Sequence, residues 1–369
     1  MNLSVPEHVR TLIPYPPGKP IEELEREYGI TGSIKMASNE NALGPSPLAV
    51  TAICKALASL HRYPDGSCHA LARTLAARLG LTPANLVFGN GSDEIIVLLV
   101  EAFLQPGEEA ISSRPSFLVY PKAVQAQAGV NRIIPLINMR HDLPAIAAAI
   151  TEKTRLIFLD NPNNPTGTLF GRVEFEAFLS DVPDRVIVVL DEAYIDFADP
   201  ATRLNLLDYL AGPKPVVGLR TFSKAYGLAG LRVGYGLMSE EIAACVQKVR
   251  APFNVNNLAQ VGALAALGDE EHYQKTLRMT REGIAWLTER LRALGLTVYP
   301  TQTNFFLVDL GRPCRPVYEA MLRQGVIIRP MNAYDFPNFI RITPGIAAEN
   351  ERLVGALEKS MNELNHAAT

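Results

Sequence analysis

A chain of 369 residues that is 48% hydrophobic and 20% charged, with a formal net charge of −3, has the make-up of an ordinary globular protein and is long enough to bury two cores. So small a charge excess excludes a strong field for nucleic acid or for an anionic membrane. The longest aliphatic run near the middle, 95–100, stops at Glu101, well short of the roughly 18 apolar residues a membrane span requires.

Residues 1–10 lack the basic start and apolar block of a secretory signal, which predicts a cytoplasmic protein. Cys54, Cys68, Cys245 and Cys314 show no CxxC spacing, against a zinc site and a disulfide framework alike, so reduced thiols and no metal are expected. Residues 1–33 are rich in proline and charge, with one short helical pattern at 21–28, and read as an arm that docks on a neighbouring subunit. Tyr15 in that arm either reaches a partner's cleft or simply packs.

From 34 to 254 helical patterns alternate with short apolar runs, as expected of a large domain. Helices are predicted over 47–60 and 70–79, and strands over 86–88, 109–111, 132–136, 155–159, 186–190, 215–219 and 232–236. Strands separated by helices predict an α/β fold with a mostly parallel sheet covered by helices, and ligands in such sheets sit at the carboxyl ends of the strands. Residues 255–369 predict a smaller α+β C-terminal domain, with helices over 271–294, 315–324 and 348–364 and strands over 304–308, 326–329 and 339–343.

The chemistry-bearing residues fall at the predicted strand ends. Gly89-Asn-Gly-Ser-Asp-Glu94 is a glycine turn leading into a helix, an anion cup for a phosphate, although Ser92 and Asp93 equally suit helix capping. Phe117 follows a strand and offers either a stacking ring or a core aromatic. Asn164, in Asp160-Asn-Pro-Asn-Asn-Pro-Thr-Gly167, either donates to an oxyanion or serves the turn. Asp191 ends an apolar strand with Tyr194 three residues on; a buried acid there needs a partner, such as a protonated pyridine nitrogen. An Asp-Glu pair at a strand end also suits magnesium in an ATPase, but no Walker loop accompanies it. Ser223-Lys224 follows another strand, with Arg232 eight residues later, and the apolar setting of Lys224 predicts a desolvated amine of lowered pKa.

A phosphate cup, a stacking ring, an amide and a phenol, a carboxylate and an amine together meet the needs of pyridoxal 5'-phosphate. Their order and spacing resemble the aspartate-aminotransferase-like, fold type I family of PLP-dependent transferases over nearly the whole chain. Within it, Pro14-Tyr-Pro-Pro-Gly-Lys19, Asn39-Glu-Asn41, Arg62-Tyr-Pro-Asp65, Asp191-Glu-Ala-Tyr-Ile-Asp-Phe197, Gly325-Val-Ile-Ile-Arg329 and Arg341-Ile-Thr343 are similar to the histidinol-phosphate aminotransferases.

That resemblance implies exchange of an amino group between L-histidinol phosphate and 2-oxoglutarate in histidine biosynthesis, in a homodimer with shared active sites and no nucleic-acid or membrane partner. It implies that Lys224 joins the cofactor's aldehyde and later moves the substrate proton. Asp191 is implied to hold the pyridine nitrogen, and Tyr194 and Asn164 the phenolic oxygen. Phe117 would stack on the ring, although relatives often carry tyrosine there. Ser92, Asp93, Ser223 and Arg232 would gather round the phosphate, with Tyr63 supplied by the second subunit. Arg341 would bind the α-carboxylate of glutamate and Arg329 is a second anion site; Tyr15 and Asn41 are further substrate-side candidates. An aromatic amino acid aminotransferase or a threonine-phosphate decarboxylase would use the same scaffold. A PLP-sensing regulator would need a DNA-binding module, for which the arm is too short.

Overall fold

The computed structural model describes residues 3–14 and 17–366, so the expectation for Tyr15 lies outside the described residues. Strand β1 (Ile34–Lys35) comes first in the chain. It is followed by β2 (Leu86–Gly89), β3 (Glu109–Arg114), β4 (Val130–Pro135), β5 (Thr154–Asp160), β6 (Ile187–Asp191), β7 (Val216–Thr221) and β8 (Gly234–Leu237). The last seven form one sheet in the order β2-β8-β7-β6-β5-β3-β4, in which β8 alone runs antiparallel to its neighbours.

The central strands are apolar without a break because both faces are covered. Ile157, Leu159, Val188 and Leu190 enter one buried cluster, while Leu156, Phe158, Ile187 and Val189 enter the other. Alternation along a strand thus feeds two cores, as a sheet sandwiched between helices demands. The helix Ser92–Phe103 packs Ile95, Ile96 and Leu99 on the second face, and the helix Asn257–Leu267 packs Ala259, Ala263 and Ala266 on the first.

The remaining strands, β9 (Thr297–Val298), β10 (Phe306–Asp309), β11 (Val326–Ile327), β12 (Arg329–Pro330) and β13 (Phe339–Ile342), lie in the C-terminal third. An antiparallel sheet β12-β13-β10-β9 is covered by the helices Glu270–Ala293, Cys314–Arg323 and Ala347–His366, whose Leu287, Val317, Met321, Leu353 and Leu357 meet Phe306, Val308, Ile340 and Ile342.

Packing runs across both expected boundaries. Strand β1 pairs in parallel with β11, Met36 joins the C-terminal core, and Leu24 and Ala37 pack on Leu322 and Ile327, so residues 21–37 rest on the C-terminal part. The single strand expected over 326–329 is two, β11 with β1 and β12 with β13, because Ile328 turns the chain between sheets. All four cysteines are free, and among the described residues no helix is long and apolar enough to cross a membrane.

Candidate active site

Register sets the site. β5 and β6 lie side by side with Asp160 opposite Asp191, and Leu219 of β7 lies opposite Asp191 on the other side. Two carboxylates therefore leave the sheet at one edge, and the chain beyond β7 brings Lys224 over them. A cavity of about 880 Å³ opens there. Asp191 lines it from the end of β6, Tyr194 and Asn164 from the loops after β6 and β5, Ser223, Lys224 and Arg232 from the chain after β7, and Ser92, Asp93 and Phe117 from the segments after β2 and β3.

The turn expected to hold an anion is shaped by the backbone. Gly91, at φ +86°, precedes the helix Ser92–Phe103, and no side chain caps that helix. Ser92 and Asp93 occupy the first turn instead, so the capping alternative gives way to open helical N–H groups and two side chains on the cavity wall. A Cβ at Gly91 would stand 2.5 Å from Arg232 Nη2, so only glycine admits the guanidinium so near the helix start. Arg232 is itself left-handed at φ 56°, and its Nη2 lies 3.4 Å from Asp93 Oδ2.

Burial dominates the electrostatics. Lys224 Nζ lies 3.4 Å from the Ser38 carbonyl and 5.7 Å from the Tyr194 ring centroid. Desolvation, helped by the nearby Arg341 charge, pushes its amine down to about 8. Desolvation pushes the Asp191 carboxyl up to about 7, opposed chiefly by a hydrogen bond from Tyr120 to Oδ2 at 2.7 Å, and also by the Ala193 N–H to Oδ1 at 3.1 Å. The charge of Asp160 adds to the upward push. Tyr194 is pushed up by burial, against the Arg341 charge and the Asn39 amide, which donates to its hydroxyl at 2.8 Å.

Arg341 on β13 is buried beside this edge. Its Nη1 donates to Asn164 Oδ1 at 2.5 Å and its Nη2 to the Ala37 carbonyl at 2.9 Å, and the guanidinium lies 4.9 Å from the Phe305 ring centroid. Its Nε is buried with no hydrogen-bond partner among the described residues, a donor suited to an anion.

Four expected residues are not on the cavity wall: Arg341, which lies beside it, and Tyr63, Asn41 and Arg329. Tyr63 is 83% exposed and stacks on Phe253 with centroids 4.9 Å apart. Asn41 spends its amide on the Ala225 carbonyl and Thr276 Oγ1. Arg329 lies opposite Arg341 in the β12–β13 register.

Asn39, Tyr120 and Asp160 were missed as site residues. Asp160 accepts from Ser116 Oγ, Asn163 Nδ2 and the Asn164 N–H, and so shapes the turn that presents Asn164. An acid ending an apolar strand was a signal for it, the same one that marked Asp191. Nothing local marks Asn39, which meets Tyr194 across 155 residues.

The donor set fits a phosphorylated, basic, planar aldehyde: an arginine and helical N–H groups, a buried carboxylate, a ring, and an amine of lowered pKa. Residues 31–357 match the family model for aminotransferase class I and II, and fold and site together define an enzyme of that class with the fold type I architecture. The histidinol-phosphate aminotransferase of Desulfotalea psychrophila is 52% identical over 99% of this chain and 97% of its own length. That of Moorella thermoacetica is 48% identical over 96% and 92%. The crystal structure of histidinol-phosphate aminotransferase from Sinorhizobium meliloti in complex with pyridoxal-5'-phosphate superposes with a TM-score of 0.90 at 29% identity, over 97% of each chain. The chain belongs to the histidinol-phosphate aminotransferase family.

Proposed function

We propose that this aminotransferase moves the amino group of L-histidinol phosphate to 2-oxoglutarate, giving imidazole acetol phosphate and glutamate, with pyridoxal 5'-phosphate as cofactor, in the cytoplasm. The observation that carries the reading is the convergence on one cavity of Asp191 at the end of β6, Lys224 and Arg232 from the chain after β7, and Ser92 at the start of the helix after β2. The family supplies the substrate.

Arg232, Ser92, Asp93 and Ser223 would hold the cofactor's phosphate, Asp191 its ring nitrogen, Phe117 a ring face, and Tyr194 with Asn164 its phenolic oxygen. When bound, pyridoxal phosphate supplies an electron sink conjugated to the amino-bearing carbon of the substrate. Lys224 would hold the cofactor through its aldehyde and, once freed by the substrate's amino group, would carry the proton from the substrate's Cα to the carbon that bore the aldehyde, on the other side of the shared nitrogen. An amine near 8 suits both tasks, because an ordinary lysine would stay protonated at neutral pH. Tyr194, with Asn39 donating to its oxygen, is left to donate its own proton into the cleft. Arg341 binds the carboxylate of 2-oxoglutarate, while the phosphate of histidinol phosphate shares Arg341 or Arg329 in the other half-reaction; a guanidinium fork serves either anion.

A homodimer is part of the same proposal. Leu57, Leu60, Tyr63 and Phe253 are large apolar side chains exposed on neighbouring segments, which supports a second copy covering them and presenting its Tyr63 to this cleft. So is the division into arm, large and small units, with the helix Asn257–Leu267 joining the large unit on which it packs.

Half-reaction kinetics test the substrate. Histidinol phosphate is expected to convert the bound cofactor orders of magnitude faster than phenylalanine or phosphothreonine. A faster reaction with phenylalanine, or loss of carbon dioxide from phosphothreonine, would move the assignment to the corresponding relative on this scaffold.

A further inference from the structure

Resting on the reading of Asp191 given above, we propose that Tyr120 is a positioning residue for the cofactor's ring nitrogen, holding the Asp191 carboxylate charged and fixed in rotation. Tyr120 is 0% exposed in the helix Val119–Ala126, and a buried phenol has to spend its hydroxyl on a partner. That partner is Asp191 Oδ2 at 2.7 Å, while Oδ1 takes the Ala193 N–H, so each carboxylate oxygen has its own donor.

The phenol cannot easily turn away. Its ring stacks on Phe158 of β5, with centroids 4.9 Å apart and planes within 7°, and takes the edge of Phe117 at 5.6 Å and 84°. One side chain thereby links the stacking ring of the cleft to its buried acid. The hydroxyl acts as donor throughout the working pH range, because burial and the charges of Asp191 and Asp160 push Tyr120 well above an ordinary tyrosine. It opposes what would neutralise Asp191: desolvation, with the charges of Asp160 and Asp93. A hydrogen bond to a charged acceptor lowers that acceptor's proton affinity, so the proton shared between Asp191 and a bound pyridine ring stays on the nitrogen.

Tyr120→Phe keeps the ring and removes the donor. Pyridoxal phosphate affinity would be measured by equilibrium dialysis on the full chain, for the wild type, Tyr120→Phe, Asp191→Asn and the double variant, alongside the nitrogen-15 resonance of ring-labelled cofactor. Tyr120→Phe is expected to weaken binding about tenfold, the scale of a lost charge-assisted hydrogen bond, and to move the resonance toward the unprotonated position. In the Asp191→Asn background the same change is expected to alter affinity less than about twofold, since coupled residues are not additive. Equal weakening in both backgrounds, or an unmoved resonance, would reduce Tyr120 to packing and overturn the inference. A wild type that binds no pyridoxal phosphate would instead overturn the reading of the cleft itself.

Discussion

Arg341 Nη1 donates to Asn164 Oδ1 at 2.5 Å, so a guanidinium on the C-terminal antiparallel sheet rests on the turn that follows the central sheet's β5. With its oxygen engaged, the Asn164 amide keeps Nδ2 as its donor, and Arg341 keeps Nε. The contact orients one residue assigned to the cofactor and one assigned to the substrate by a single hydrogen bond.

Arg341→Lys is therefore expected to do more than weaken an anion site, because an ammonium cannot serve Asn164, Ala37 and a carboxylate in one plane. In the half-reaction of the aminated enzyme with 2-oxoglutarate, kcat/KM should fall about 100-fold, equivalent to about 2.7 kcal/mol, mostly through KM. An unchanged KM would place the carboxylate elsewhere.

Lys224 gives a pH signature. With its pKa lowered from 10.5 to about 8, the neutral amine at pH 7 is about 300 times more abundant than for an ordinary lysine. Capture of pyridoxal phosphate by the unloaded chain should rise with pH to half its maximum near 8. A midpoint near 10 would mean an amine in contact with bulk water.

Gly91→Ala should strike the anion cup. The residue sits at φ +86° and the added methyl would meet Arg232 Nη2 at 2.5 Å. Destabilisation of about 1–2 kcal/mol in a denaturant titration is expected. Pyridoxal phosphate affinity should fall further than pyridoxal affinity, since only the former carries the phosphate; equal losses would contradict a phosphate cup at this turn.

Asp191 carries a cost in the unloaded chain. Its folded pKa, about 7, lies above the unfolded value near 3.8, so its contribution to stability is complete below pH 4 and lost as pH rises through 7. Unloaded Asp191→Asn should accordingly melt higher than the wild type at pH 8, by about 2 °C or more. The advantage should shrink steadily as pH falls toward 4. An advantage independent of pH would show that Asp191 is not a buried titrating acid.

What the sequence made legible followed from local pattern. Apolar runs such as 186–190 stand out because a doubly covered strand has no polar alternation to blur it, and residues placed just beyond them, such as Asp191 and Lys224, inherit a position at the sheet edge. Glycine at 91 marks the strand-to-helix turn, which the structure forms with Gly91 at φ +86°. Contacts between remote segments stayed hidden. In Asn39-Glu-Asn41 the second asparagine was singled out, yet Asn39 is the one that reaches Tyr194, because its left-handed backbone at φ 57° and its link to Thr343 Oγ1 turn it inward. Tyr120 reads in sequence as one more core aromatic, and only the register of β5 and β6 brings Asp191 beneath its hydroxyl. The expected cut near 254 missed that the alanine-rich face of Asn257–Leu267 completes the first core, which periodicity cannot assign to a partner.

The proposed chemistry requires one lysine to meet one aldehyde. Reduction of the cofactor-loaded enzyme with borohydride, followed by proteolysis and mass spectrometry of the peptides, reads that bond directly. The pyridoxyl group should be found on Lys224 alone and be absent from Lys224→Ala; a label on another lysine, or a wild type left unlabelled, would contradict the assignment of this cleft.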